Sequence, residues 1–175
     1  APLQQKGKLF VSFDLSVIPN KNIIVAVTGG IAAYKSAILV RRLKDAGFNI
    51  HVVMTKGAQA FVTPLTFQAL SGNSVHTELL NPEAEAGMGH IELARWADLI
   101  LVAPASCDTL AKFAAGLADD LLSTLYLATK APVWVAPAMN QQMWAAKATQ
   151  RNLNTLVEDG VHVIMPDAGA QACGD

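Results

Sequence analysis

Three polar side chains stand at the borders of apolar runs and could act together on a small molecule. His90, in "MGHIELARWADLILVAP", opens a short helical pattern that leads into an apolar run. Asn140, in "PAMNQQMW", follows the run "APVWV" and is flanked by Pro137 and by Met139 and Met143. Cys173, in "DAGAQACGD", lies among Gly and small residues after the last apolar run. A helix amino terminus favours a neutral imidazole, the form a general base requires. A carboxamide offers donors and an acceptor without adding charge. A Gly-flanked thiol outside any apolar period reads as a reactive group on a mobile flap, or equally as part of a tail. His90 has its own ordinary alternative, a half-exposed capping residue.

A second set of residues suits an anion. "VTGGIAAYKS" joins an apolar run to a helical pattern through Gly29 and Gly30. Two glycines let the backbone turn sharply and approach a ligand, and the helix that follows offers free N–H groups to a phosphate. The pattern is no P-loop, because Tyr34 occupies the second glycine position of that motif. It is no dinucleotide fingerprint either, since only the adjacent Gly29 and Gly30 are present and "VVMTKGA" ends the second run without an acid for a ribose. Thr55 and Lys56 there suit phosphate better than a ribose diol, so a mononucleotide such as FMN fits better than NAD. In "PASCDTLAKFAAGLADDLLST", Ser106 and Thr109 can donate to an oxygen-rich ligand. Asp108, Asp119, Asp120 and Ser123 suit helix capping.

These residues need a scaffold that gathers loop ends. Apolar runs at 23–28, 49–55, 98–104, 131–137 and 161–166 read as strands buried on both faces. Helical patterns separate them at 31–46, 57–71, 106–115, 119–129 and 148–159, with Pro64 breaking the second. In the first, Ile31, Tyr34, Ile38, Leu39 and Leu43 recur at helical spacing, and Gly47 ends it. Alternation of this kind predicts an α/β fold, a doubly wound, mainly parallel sheet with helices on both faces. Ligands in such folds sit beyond the carboxyl ends of the strands, where the candidate residues fall.

Composition limits the function classes. The 175 residues are 52% hydrophobic with a net charge of −1, enough for one core and without a basic footprint for nucleic acid or an anionic membrane. Cys107 and Cys173 form neither a disulfide framework nor a zinc spacing, so no metal is expected and a reducing, cytoplasmic location is. No apolar run approaches a membrane span. Residues 1–20 read as an extension and residues 21–175 as one FMN-binding domain.

The motifs together resemble the flavin-containing cysteine decarboxylase family. "PAMNQQMW" matches that family's PxMNxxMW motif, and "GGIAAYK", "MTKGAQAFVTPLTFQALSG", "GHIELARWADLILVAPAS" and "QACGD" are similar to the decarboxylase half of bacterial bifunctional coenzyme A biosynthesis flavoproteins. One departure is Asp108, which stands where the family's PASANT motif carries Asn. The resemblance implies a Rossmann-like or flavodoxin-like flavoprotein that decarboxylates 4'-phospho-N-pantothenoylcysteine. By that resemblance, FMN accepts two electrons while the substrate thiol becomes a thioaldehyde, CO2 leaves, and the enethiolate is reduced to 4'-phosphopantetheine.

The roles it implies are specific. His90 assists thiol oxidation, Asn140 binds the substrate carboxylate or amide, and Cys173 donates the last proton. Gly29, Gly30, Ile31, Thr55, Ser106, Thr109 and Ser123 hold FMN, while Met143 and Ala172 line the substrate. Met139 and Trp144 are expected in the core or an interface. The resemblance also implies a homotrimer or dodecamer. Two alternatives stay open, a peptidyl-cysteine oxidative decarboxylase and a non-catalytic FMN-binding regulatory relative.

Overall fold

The computed structural model describes residues 18–80 and 88–165. Five parallel strands form one sheet in the order β2-β1-β3-β4-β5: β1 (Asn22–Val27), β2 (Asn49–Met54), β3 (Leu99–Ala105), β4 (Val133–Pro137) and β5 (His162–Val163). Successive strand residues point to opposite faces, so each apolar run feeds two cores. On one face Ile24, Ala26, Ile100 and Val102 pack with Leu110, Leu125 and Leu156. On the other, Ile23, Val25, Val52 and Leu101 pack with Leu39, Val40 and Phe67. This double burial is why the strands read as unbroken apolar runs, and every residue of β3 is buried.

Helices α1 (Ala33–Asp45), α2 (Pro64–Ser71), α3 (His90–Trp96), α4 (Cys107–Ala115), α5 (Leu121–Ala128), α6 (Gln141–Ala145) and α7 (Lys147–Glu158) connect or follow the strands. Their ends follow local chemistry. Pro64 stands in the first turn of α2, and Gly72 and Gly116 close α2 and α4 in the left-handed conformation. A 3-10 turn at Ala58–Ala60 precedes Pro64, as the proline break in that helical pattern predicts.

Two differences from the sequence reading matter. On α1 the buried face is Ala33, Ser36, Leu39, Val40 and Leu43, whereas Ile31, Tyr34 and Ile38 are at least half exposed. Residues 141–145, which lack a helical period, form the short helix α6 because Asn140 caps it.

The strand order reverses between β1 and β3, since β2 lies on one side of β1 and β3 with its successors on the other. Chain connections leave in opposite directions there and open a crevice at the carboxyl edge. The exits of β1, β3 and β4 therefore converge on one region.

Candidate active site

The β1 exit is built around a close backbone approach. A Cβ on Gly29 would lie 3.1 Å from the Gly57 carbonyl carbon, so the turn after β1 and the turn after β2 can touch only through a glycine. Gly57, a residue the sequence reading did not single out, is the other half of that contact; its position just after "VVMT" was the available signal. A Cβ on Gly30 would meet nothing within 4 Å, so this residue faces open space. Ala33 and Lys35 donate to the carbonyls of Gly30 and Ala32, whereas the N–H groups of Gly29, Gly30 and Ile31 have no acceptor among the described residues. Thr55 stands beside this turn; its Oγ1 accepts from Ala58 N at 3.2 Å, and Lys56 is exposed.

Ser106 and Thr109 come from the β3 exit. Ser106 is the N-cap of α4: its Oγ accepts from Thr109 N at 3.1 Å and pairs with Thr109 Oγ1 at 3.0 Å. Asp108 is not the cap that the sequence reading assigned. It lies in the first turn of α4 and pairs with Lys112 at 3.8 Å, because Ser106 already holds the capping position. Lys112 also meets Asp119 at 3.2 Å and Asp120 at 3.5 Å. Burial works to lower the pKa of this ammonium, but the hydrogen bond to Asp119 and the surrounding carboxylates hold it above its ordinary value.

Ser123 is almost fully buried and closes a capping box with Asp120 at the head of α5. Asp120 Oδ1 accepts from Ser123 N at 2.8 Å, while Ser123 Oγ accepts from Asp120 N at 3.2 Å. Burial raises the pKa of Asp120, but the bonds from Ser123 and the charge of Lys112 outweigh it and keep the carboxyl below its usual range.

Asn140 is the N-cap of α6. Its Oδ1 accepts from Met143 N at 2.8 Å, and the side chain is exposed. Only an oxygen can accept from that N–H, so the amide nitrogen is directed away from the helix with both hydrogens free. Ala138 N donates to Ala105 O at 3.1 Å and ties this exit to the β3 exit. Met139 is buried in the core, Trp144 packs against it, and Met143 is exposed.

His90 is the first residue of α3, half-buried, at the rim of a cavity of about 30 Å³ lined by His76, Glu78, Leu93 and Leu121 among others. No described hydrogen bond joins His90 to Asn140 or to the Gly29–Ile31 turn. The other histidines have structural partners: His51 and His76 share a 3.2 Å hydrogen bond, and His162 lies against Trp134. A larger cavity of about 430 Å³ lies at the opposite, amino-terminal edge of the sheet, near Phe113, Tyr126 and Asp159, away from every candidate residue. Cys107 Sγ approaches Thr149 Oγ1 at 3.4 Å. Cys173 and Ala172 lie outside the described residues.

The arrangement therefore gathers free backbone donors, an open glycine face, a hydroxyl pair and an outward amide on one edge. That set suits a phosphate-bearing ligand and a carboxylate, and the space at Gly30 fits a group that approaches the backbone closely.

A family model described as Flavoprotein matches residues 15–175. The chain is 58% identical over 161 residues to the coenzyme A biosynthesis bifunctional protein CoaBC of Vibrio vulnificus, covering 92% of this chain and 40% of that protein. It is 57% identical over 158 residues to the CoaBC protein of Escherichia coli, covering 90% and 39%. It thus spans about 40% of the length of these relatives. Among solved structures, the FMN-dependent cysteine decarboxylase SpaF superposes with a TM-score of 0.80 at 34% identity, covering 88% of this chain and 89% of that one. A PPC decarboxylase mutant complexed with pantothenoylaminoethenethiol gives 0.73 at 33% identity, covering 88% and 86%.

Proposed function

The chain belongs to the flavoprotein family, and from that premise we propose that it is an FMN-dependent phosphopantothenoylcysteine decarboxylase acting in coenzyme A biosynthesis. The observation that carries the proposal is the outward amide of Asn140, held at the carboxyl edge of the sheet on the loop that Ala138 ties to the β3 exit. FMN, when bound, supplies the two-electron sink that lets a cysteine carboxylate leave as CO2.

The protein's own residues do the rest. The free N–H groups of Gly29, Gly30 and Ile31, with Thr55, hold the phosphate end, and Ser106 and Thr109 present hydroxyls from the β3 exit. Ser123 contributes by fixing the head of α5 through its capping box. Asn140 donates to the substrate carboxylate without adding a positive charge that would hold the carboxylate back from leaving as CO2. Met143, exposed beside it, covers the substrate together with Ala172. His90 takes the thiol proton, and Cys173 returns a proton to the product.

The cavity at His90 is far too small for a flavin or for this substrate. The exposed Tyr34 and Ile38, four apart on one face of α1, together with Ile31, form an apolar surface next to the cradle. Both features support a site completed by a second copy, in a homotrimer or a dodecamer built from trimers. A cytoplasmic location accompanies this metabolic role; no described helix is long and apolar enough to cross a membrane.

Purified protein reconstituted with FMN is expected to show a bound-flavin absorption band and to release CO2 from 4'-phospho-N-pantothenoylcysteine. A protein that binds FMN but releases no CO2 from this substrate would leave the peptidyl-cysteine and the regulatory readings.

A further inference from the structure

The cradle residues are held in place by the side chain that immediately precedes Gly29. Thr28, fully buried, lies between β1 and Gly29. Its Oγ1 donates to Pro104 O at 2.6 Å and accepts from Ser106 N at 2.7 Å. Thr28 N also donates to Pro104 O, at 3.3 Å. One residue therefore holds the β3 exit at two successive points, and its neighbour in sequence is the first glycine of the turn.

The need for such a bond follows from the strands. The paired register of β1 with β3 runs only as far as Ala26 and Val102. On the other side, the register between β3 and β4 shifts between Val102 and Ala105, which leaves Ala103 and Pro104 without Cα partners on β4. Pro104 has no N–H to extend either ladder. A buried carbonyl without a donor costs roughly 1–3 kcal/mol, so donors must come from outside the ladders. Two hydroxyls supply them, and at Pro104 the N–H of Thr28 adds a second donor. Ser36 Oγ, also fully buried, donates to Ala103 O at 2.5 Å, and Thr28 takes the next carbonyl.

The two hydroxyls differ in one respect. Ser36 ties α1 to the strand end and touches no cradle residue among its described hydrogen bonds. Thr28 carries the connection through to Ser106, whose side chain caps α4 and meets Thr109. The β1 turn and the β3 hydroxyl pair are thus joined through one side-chain oxygen, beside the backbone bond from Thr28 N to Pro104 O.

We propose that Thr28 is a positioning residue for the cofactor cradle, a buried hydroxyl that fixes where Ser106 and Thr109 stand relative to the Gly29–Gly30 turn. The inference rests on the FMN reading above. Thr28→Val keeps shape and volume while removing both hydrogen bonds, and Thr28→Ser keeps the hydroxyl while losing a methyl. Ser36→Ala removes a comparable buried bond one carbonyl away.

The test is a titration of apoprotein with FMN, followed by quenching of flavin fluorescence, alongside the visible circular dichroism of the bound flavin and the Tm of each apoprotein. Thr28→Val is expected to weaken FMN about tenfold or more and to alter the flavin dichroism. Thr28→Ser is expected to restore both, and Ser36→Ala to lower Tm while leaving affinity within about twofold. Wild-type affinity in Thr28→Val, or a loss in Ser36→Ala equal to that in Thr28→Val, overturns the positioning role. If Thr28→Val does not fold, Thr28→Ser decides alone: wild-type affinity and dichroism support the hydroxyl's role, and weakened binding refutes it. Failure of the wild-type protein itself to bind FMN overturns the flavin reading and the inference with it, an outcome distinct from a difference among variants.

Discussion

Asn140 accepts a 2.8 Å hydrogen bond from the backbone of Met143, and that bond decides which half of its amide is left unpaired. The oxygen is committed to the head of α6, so the nitrogen alone is presented. Asparagine here caps a helix, and in the proposed function its amide also donates to a carboxylate. Asn140→Asp keeps a good cap but replaces the donor with a negative charge. We expect it to unfold within about 0.5 kcal/mol of wild type, since both residues rank alike as caps, while decarboxylation falls about a hundredfold or more, as it does when an aimed donor is lost. Thermal unfolding and CO2 release measured on the same preparation check this; a variant that is both stable and active would remove the amide from the chemistry.

The two glycines of the β1 turn should fail differently. Gly29→Ala forces a methyl to 3.1 Å from the Gly57 backbone, which neither turn can relieve by rotating a side chain. Overpacking of this kind costs typically about 1–3 kcal/mol, so a lowered Tm is expected in the apoprotein. Gly30→Ala meets nothing within 4 Å and should fold as wild type. Its methyl enters the space assigned to FMN, so flavin titration should show weakened binding with Tm unchanged. Equal behaviour of the two variants would mean that Gly30 does not face the ligand.

Much of this scaffold was legible in the chain, for a physical reason. Parallel strands covered on both faces must be apolar throughout, so "IIVAVT" and "DLILVAP" announced themselves. The face of α1 was harder. Periodicity tells which residues share a face, but α1 has two apolar faces, and only tertiary packing chose Ala33, Leu39, Val40 and Leu43 over Tyr34 and Ile38. The choice between Ser106 and Asp108 as the cap depended on where β3 ended, and boundaries carry little sequence signal. Helix α6 is too short to show a period, and Thr28 is a lone hydroxyl at the end of an apolar run. Asn140 and His90 were visible as polar groups at the edges of strands and helices, yet their facing groups were not.

A pH dependence follows from the His51–His76 pair. Burial first, and then the neighbouring His51, pushes the pKa of His76 from 6.5 down to about 4, and burial lowers His51 as well. Between pH 6.5 and about 4 the unfolded chain therefore binds more protons than the folded one. Stability is complete above the unfolded value and is lost as the pH falls towards the folded one. His76 also pairs with β2 through its backbone, so the pair holds the segment that walls the His90 cavity. We expect Tm to drop between pH 7 and pH 5, and His76→Gln to make that drop shallower. An unchanged slope in the variant would assign the acid sensitivity to other groups.

His90 can be separated from the fold in the same way. It caps no described hydrogen bond at the start of α3, where Gly89 is the N-cap. His90→Asn should retain FMN and Tm but lose about 10²–10⁴-fold in turnover, the usual contribution of a general base. Substrate oxidation and CO2 release should fall together. Wild-type turnover would exclude His90 from proton transfer.

The proposed decarboxylation is redox neutral overall, and the mass of the product distinguishes it from its alternatives. 4'-Phospho-N-pantothenoylcysteine incubated with the FMN-loaded protein should yield a product lighter than the substrate by CO2 alone, with the mass of 4'-phosphopantetheine. A product lighter by CO2 and two hydrogens would instead identify an oxidative decarboxylase that stops at the enethiol, and an unchanged substrate would contradict the decarboxylase reading itself.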